Sequence, residues 1–325
     1  MDQIKALLKQ AKDASDELRF DQAQAFIVSA LELNANYAPS YEILGEIFVE
    51  QDALPQARIA FQKAIEVAEK EEDARSGFGK YLWLGQLSEE GGMDSLKYYK
   101  MGVKRLIAHI ANLPEAQQPP LRARLASAYS AMAELYMTDL CMEADAEANC
   151  EKYVTNALLA DESSSEALQT MASMRLSQQR VEEARTALRH SLSLWHDPDG
   201  ASGALPAYAS RIALVRLLLE CDMTDESLDV LQQLSREDDE SVDLWYLFGW
   251  TYFLAGQLLP QSENMEKRNE SWEDARHCLQ KCEQLYKRLE WEDEGIREHA
   301  GELLATIAEA GIPLTTVDEG DEERR

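Results

Sequence analysis

The stretch WYLFGWTY, from Trp245 to Tyr252, sets Trp245, Phe248 and Tyr252 around Gly249 at the three- and four-residue steps of one helix face. A glycine among large side chains on such a face lets a second helix come close, while the aromatic rings fill the space around the crossing. Downstream, Ala275, Leu279 and Cys282 supply the small and apolar positions that the partner helix needs. The segment therefore reads as a helical hairpin.

The pattern returns on either side. Tyr41, Leu44, Gly45 and Phe48 are followed by Ala57, Phe61 and Ala64, and a step back of about 34 residues reaches Leu7, Ala11, Ala14, Ala23, Ile27 and Ala30. A third copy runs through Tyr81, Leu84, Gly85 and Ser88 to Ser95, Tyr99 and Gly102. A fourth runs through Tyr129, Met132, Ala133 and Tyr136 to Cys150, Val154 and Ala157. The fifth carries Leu168, Met171 and Ala172, then Ala184, Leu188 and Ser191, and the sixth Leu214, Val215 and Leu218, then Ser227, Leu231 and Leu234. This period and this crossing motif are those of the tetratricopeptide unit. The expectation is an all-α tetratricopeptide-repeat superhelix of about seven hairpins. A last amphipathic helix, Glu294 to Ala310, covers the final hairpin. Residues 1–311 are expected to form one solenoid domain, and residues 312–325 an acidic tail, disordered over Asp318 to Glu323. Insertions are expected at Glu69 to Asp73, Pro114 to Pro120, Asp139 to Glu147, His196 to Gly203 and Leu258 to Glu270.

Charge narrows the function. The 325 residues include 60 Asp and Glu against 32 Lys and Arg, a formal net charge of -28. Such a surface repels nucleic-acid phosphates and anionic lipid and attracts a strongly basic protein. No apolar run is long enough to span a membrane, and the first residues, with Lys5, Lys9, Asp13 and Asp16, do not form a secretion signal. Five irregularly spaced cysteines fit reduced thiols, so a soluble intracellular monomer is expected, with no direct nucleic-acid or membrane partner.

In a tetratricopeptide array the first helix of each hairpin builds the concave, ligand-holding wall. Glu42, Glu46 and Glu50 recur at four-residue steps and form one carboxylate stripe there, pointing away from the packing positions. Trp83, Glu89 and Glu90 in the third unit, Glu134 in the fourth, and Asp243, Tyr246 and Trp250 in the seventh extend the candidate partner-binding surface. Carboxylates for cationic heads and aromatic faces for their stems suit a basic, extended segment. The same residues also read as solvated faces, and Tyr246 and Trp250 as packing against a neighbouring helix.

Chemistry has no foothold. No phosphate-binding loop, zinc-protease pair, nucleophile elbow or calcium loop occurs, and Gly77, Gly79 and Gly85 lack the strand and spacing of a dinucleotide site. His277, Cys278 and Cys282 share a helix but have no second ligand pair, and Cys282 occupies a small-residue packing position. No enzyme activity, cofactor or metal is expected.

The runs DLCME (139–143), TNALL (155–159), EALQTMAS (166–173) and SQQR (177–180) resemble the fungal dedicated assembly chaperones of large-subunit ribosomal protein four. The resemblance implies capture of that newly made protein through its long basic internal loop, solubilisation, escort from cytoplasm to nucleus and release on the assembling large subunit. The repeat alone fits equally a scaffold that joins other proteins.

Overall fold

A computed structural model describes residues 1–70, 77–89, 91–196, 205–259 and 265–312. Among them lie fifteen α-helices and no strand. The helices α1 (Asp2–Asp16) to α8 (Ala146–Ala160) pair in chain order. They are α2 (Phe20–Leu33), α3 (Ala38–Glu50), α4 (Leu54–Lys70), α5 (Gly79–Gln86), α6 (Gly92–Ile110) and α7 (Pro119–Met137). α9 (Ser165–Ser177) and α10 (Val181–Ser193), α11 (Tyr208–Glu220) and α12 (Thr224–Glu237), and α13 (Val242–Leu258) and α14 (Met265–Arg288) continue the series. α15 (Glu294–Glu309) packs on α13 and α14 as the closing helix.

The chain divides into two compact units, Met1–Thr170 and Met171–Arg325, and the division falls within α9. In the first unit α1 packs on α2, α3 on α4, α5 on α6 and α7 on α8, with α1 also against α3 and α3 against α5. In the second, α11 packs on α12 and α13, and α13 on α14. Within each unit, hairpins thus bury apolar surface between paired helices and against the neighbouring pair, as stacked repeats require.

The glycine crossings are tight. A methyl group placed on Gly45 would come within 2.5 Å of the Phe61 ring, and one on Gly249 within 2.5 Å of Leu279 Cγ. Phe61 is wholly buried and lies parallel to the Trp83 ring at 6.0 Å, so it cannot step aside freely. Gly45→Ala should therefore lower stability by about 1 to 3 kcal/mol, the usual range for overpacking. Chemical denaturation compared with the unaltered chain checks it.

Among the described residues, four hairpin turns and the turn from α14 to α15 carry a left-handed residue that is not glycine: Leu18, Asp52, Gln179 and Asp222, and then Glu290, with φ between 49° and 60°. In each, the following N–H reaches back to the last turn, as in Arg19 N to Ala14 O at 2.8 Å and Ala53 N to Phe48 O at 2.8 Å. This closure satisfies an orphan carbonyl of the preceding helix and turns the chain in a few residues.

Several expected insertions are smaller than their sequence suggested. Glu115–Gln117 is a 3-10 turn and α7 already begins at Pro119, because proline suits the first helical turn. Met265 to Glu270 belongs to the 24-residue α14, and in the Asp139 to Glu147 segment Leu140 is buried and α8 begins at Ala146. The expected acidic insertion over Glu69 to Asp73 is helical at Glu69 and Lys70, and its remainder lies outside the described residues. The expected tail beyond Ile312 and most of the His196 to Gly203 segment also lie outside them.

In the second unit, buried Arg211 holds Glu237 through two nitrogens at 2.7 and 2.6 Å, and its Nε donates to Pro206 O at 3.0 Å. The hydrogen bond from Arg211 holds the Glu237 carboxyl below the usual glutamate range. A depressed folded value means the pair contributes stability above the unfolded value of about 4.3 and loses it as pH falls through the folded one. The Tm advantage of the unaltered chain over Glu237→Gln should thus be present at neutral pH and shrink below about pH 4. Melting curves across pH 3 to about 7 check it.

Candidate functional site

In the first unit the carboxylate stripe of α3 faces the neighbouring first helices. Glu42 Oε1 accepts from Lys80 Nζ at 2.5 Å, and Lys80, at the start of α5, is completely buried. Glu50 Oε2 accepts from Ser15 Oγ of α1 at 2.5 Å. Glu46, between them, has its pKa raised, first by burial, while the positive charges of Lys12 and Arg124 pull it down and the negative charges of Glu42 and Glu50 push it up. For Glu42 the expectation that this stripe points away from the packing positions is corrected. Glu42 is an inter-hairpin tie, because a buried ammonium must have a counter-charge at hydrogen-bond distance. Glu50 remains exposed.

Farther along lies a cleft of about 370 Å³. Trp83 and Gln86 of α5, Tyr99 of α6, Arg124, Ser127 and Glu134 of α7, and Glu166 of α9 line it. The α7 residues stand at three- and four-residue steps and so share one face. Ser127 Oγ donates to Glu166 Oε1 at 3.0 Å, and Thr170 Oγ1 donates to Glu134 Oε1 at 3.3 Å. Each carboxylate keeps a second oxygen without a hydrogen-bond partner among the described residues. Glu134 is open at its surface yet sits in a concavity, and its pKa is raised first by burial and then by the negative Glu166.

Aromatic walls back these charges. One face of the Trp83 indole lies against Phe61, and its Nε1 is enclosed with no hydrogen-bond partner among the described residues. Tyr99 is 8% exposed, its ring packs on Gly85, and its phenol is pushed up to about 12, first by burial and then by Glu134 and Glu166. Its hydroxyl likewise has no partner among the described residues. Arg124, at the other end of the α7 stripe, lies 5.5 Å over the Phe78 ring without an ion-pair partner within 4 Å among the described residues.

The remaining expected positions are spent differently. Glu89 pairs with Arg58 of α4 at 2.6 Å, and Glu90 lies outside the described residues. In the second unit Asp243 pairs with Arg216 at 2.5 Å. The Tyr246 hydroxyl bonds His299 Nδ1 of α15 at 2.8 Å, and Trp250 meets that imidazole edge-on at 5.3 Å. α15 thus covers both aromatic rings, and Tyr246 is only 8% exposed. A further cleft, of about 330 Å³ between α14 and α15, carries Lys287 and Arg297 beside Glu283 and Glu290 and so has no dominant sign. Cys278 and Cys282 are buried, their thiols pushed up to about 12 by burial, which disfavours the thiolate a metal would need.

Arg124, Ser127 and Glu166 were not singled out as binding residues from the sequence, and Tyr99 was read only as a packing position of the third hairpin. The steps from Arg124 to Ser127, Ala131 and Glu134 were a usable signal for α7. Tyr99 lies on a second helix of a hairpin and reaches the wall only because Gly85 lets it through.

Comparison with known proteins decides the family. Over 287 residues, 87% of this chain and 84% of the relative, it is 39% identical to a protein of Schizosaccharomyces pombe named "Probable assembly chaperone of rpl4". The chain belongs to the rpl4 assembly-chaperone family. A relative of the same name in Emericella nidulans is 37% identical over 317 residues, covering 93% of this chain and 80% of its own. A solved structure titled "Assembly Chaperone of RpL4 (Acl4) (Residues 1-338)" superposes with a TM-score of 0.72 at 37% identity, covering 78% of this chain and 97% of that one. A tetratricopeptide-repeat protein from Parabacteroides merdae matches with a TM-score of 0.52 at 15% identity over 95% of this chain and all of its own, a likeness of fold alone. No protein-family model matches the chain. The chain thus has a tetratricopeptide-repeat fold, and the cleft of the first unit lies in its helical repeats.

Proposed function

We propose that this chain is a dedicated chaperone of large-subunit ribosomal protein four, holding that protein's basic, extended internal loop against the first-helix wall. It keeps the client soluble, travels with it from cytoplasm to nucleus and yields it to the assembling large subunit, acting as a monomer and without catalysis. The observation that carries this reading is the cleft of α5, α7 and α9, where Glu134 and Glu166 stand beside Trp83 and Tyr99. The names of the relatives supply the client.

An unfolded basic loop adsorbs to stray polyanions, and a negative wall shields it. Ribosomal RNA, with a denser charge and a shaped site of its own, then competes the loop away. Within the proposed surface, Glu46, Glu50, Trp83, Glu134 and Glu166 are the contact residues. Glu42 holds the wall of the first unit in shape through Lys80, and in the second unit Asp243 is tied to Arg216 and Tyr246 to His299, which Trp250 also meets.

The reading is tested by titrating the chain with the isolated internal loop of ribosomal protein four. Binding should weaken about tenfold or more between roughly 0.05 M and 0.3 M salt, because exposed charges are screened within a Debye length. Absence of binding at low salt overturns the reading. A capture from cytosol that recovers other proteins but not the ribosomal one favours a general scaffold instead.

A further inference from the structure

We propose that the cleft between α5, α7 and α9 is a subsite for a single arginine side chain of the bound segment, and that it prefers arginine to lysine. The inference rests on the proposed capture of a basic segment and names the chemistry of one contact within it. Two carboxylates from different helices, Glu134 and Glu166, line the one cleft, Glu166 close enough to disfavour the charged form of Glu134, and neither has an ion-pair partner among the described residues. Carboxylates alone would suit any cation. The Tyr99 hydroxyl adds a distinct acceptor, since that side chain is more than nine-tenths buried, lines the cleft and has no hydrogen-bond partner among the described residues.

The shape of these groups favours a plane over a point. A guanidinium offers five donors in a rigid fork, whereas an ammonium offers three on a strongly hydrated point charge. The acceptors here are spread over two carboxylates, one phenol and the Gln86 amide. Trp83 supplies a flat wall, on which a guanidinium stacks plane to plane as well as through its charge. A volume of about 370 Å³ admits the head and its stem.

Arg124 shares the cleft but does not fill this end. It precedes Glu134 by ten residues on one helix, about 15 Å along the axis. Helical side chains also lean toward the N-terminus, so the Arg124 head inclines away from Glu134 and toward Glu46, whose carboxyl it stabilises. That separation exceeds the screening length of about 8 Å at physiological salt.

The test uses the full chain and two synthetic peptides of equal length and charge, glycine and serine spaced, one with four arginines and one with four lysines, read by fluorescence anisotropy. The arginine peptide should bind roughly threefold to fivefold tighter. The E134Q/E166Q double variant should weaken both peptides and bring their ratio near one. Y99F keeps the ring against Gly85 and removes only the hydroxyl, and should narrow the ratio with little change in lysine-peptide affinity. Equal affinity for the two peptides in the unaltered chain overturns the arginine subsite while leaving capture of basic segments standing. A preference that survives in E134Q/E166Q, with helicity intact, overturns the placement. Failure of both peptides to bind overturns the subsite and the proposed function together.

Discussion

Reversing Glu46, Glu50, Glu134 and Glu166 to lysine together should abolish capture of the basic loop, lowering affinity at least about a thousandfold, or about 4 kcal/mol. Each of these carboxylates lies on a first helix of the first unit, and replacing it by lysine sets a like charge against a cationic ligand. Repulsion of that kind reaches several kcal/mol at an interface. Glu42 is left alone because Lys80 depends on it, so the array should keep its helical circular dichroism and its denaturation midpoint. Isothermal titration with the loop measures the effect. An affinity within tenfold of the unaltered chain would remove these residues from the binding surface.

Lys80→Met should be the most destabilising single change in the first unit's wall, by about 3 kcal/mol. Lys80 has no exposed surface and Glu42 keeps 18%, so losing the ammonium leaves a mostly desolvated carboxylate facing nothing. Removing one member of a buried pair costs far more than replacing both by apolar groups. The double variant Lys80→Met with Glu42→Leu should therefore recover most of the loss, a non-additivity that a mutant cycle reads directly. Because repeat arrays need not unfold as one step, hydrogen exchange in α3 and α5 is the measurement. Unchanged protection in Lys80→Met would mean that water already reaches the pair.

The site was only partly legible before the fold. Glu134 and Trp83 were found because charge and aromatic character on a first helix are visible in a list of residues, and both line the cleft. The triplet of Glu42, Glu46 and Glu50 was visible as a stripe, but the partners of that stripe come from other repeats. Lys80 is 38 residues from Glu42 and Ser15 is 35 residues from Glu50. Local spacing shows which side chains share a face and is silent about what stands across from it. Tyr246 and Trp250 illustrate the same limit, since their partner His299 lies on the closing helix.

Helicity, hairpin pairing and the close crossings at Gly45 and Gly249 follow from the chain itself, because period, small residues and aromatics act over distances shorter than one repeat. Four hairpin turns left no glycine signature, since Leu18, Asp52, Gln179 and Asp222 take the left-handed conformation that glycine usually fills. Which carboxylates stay open to a ligand, and which are consumed as internal counter-ions, was settled only when hairpins far apart in sequence met. The energy of a charge depends on what surrounds it in space, and the order of residues does not carry that information.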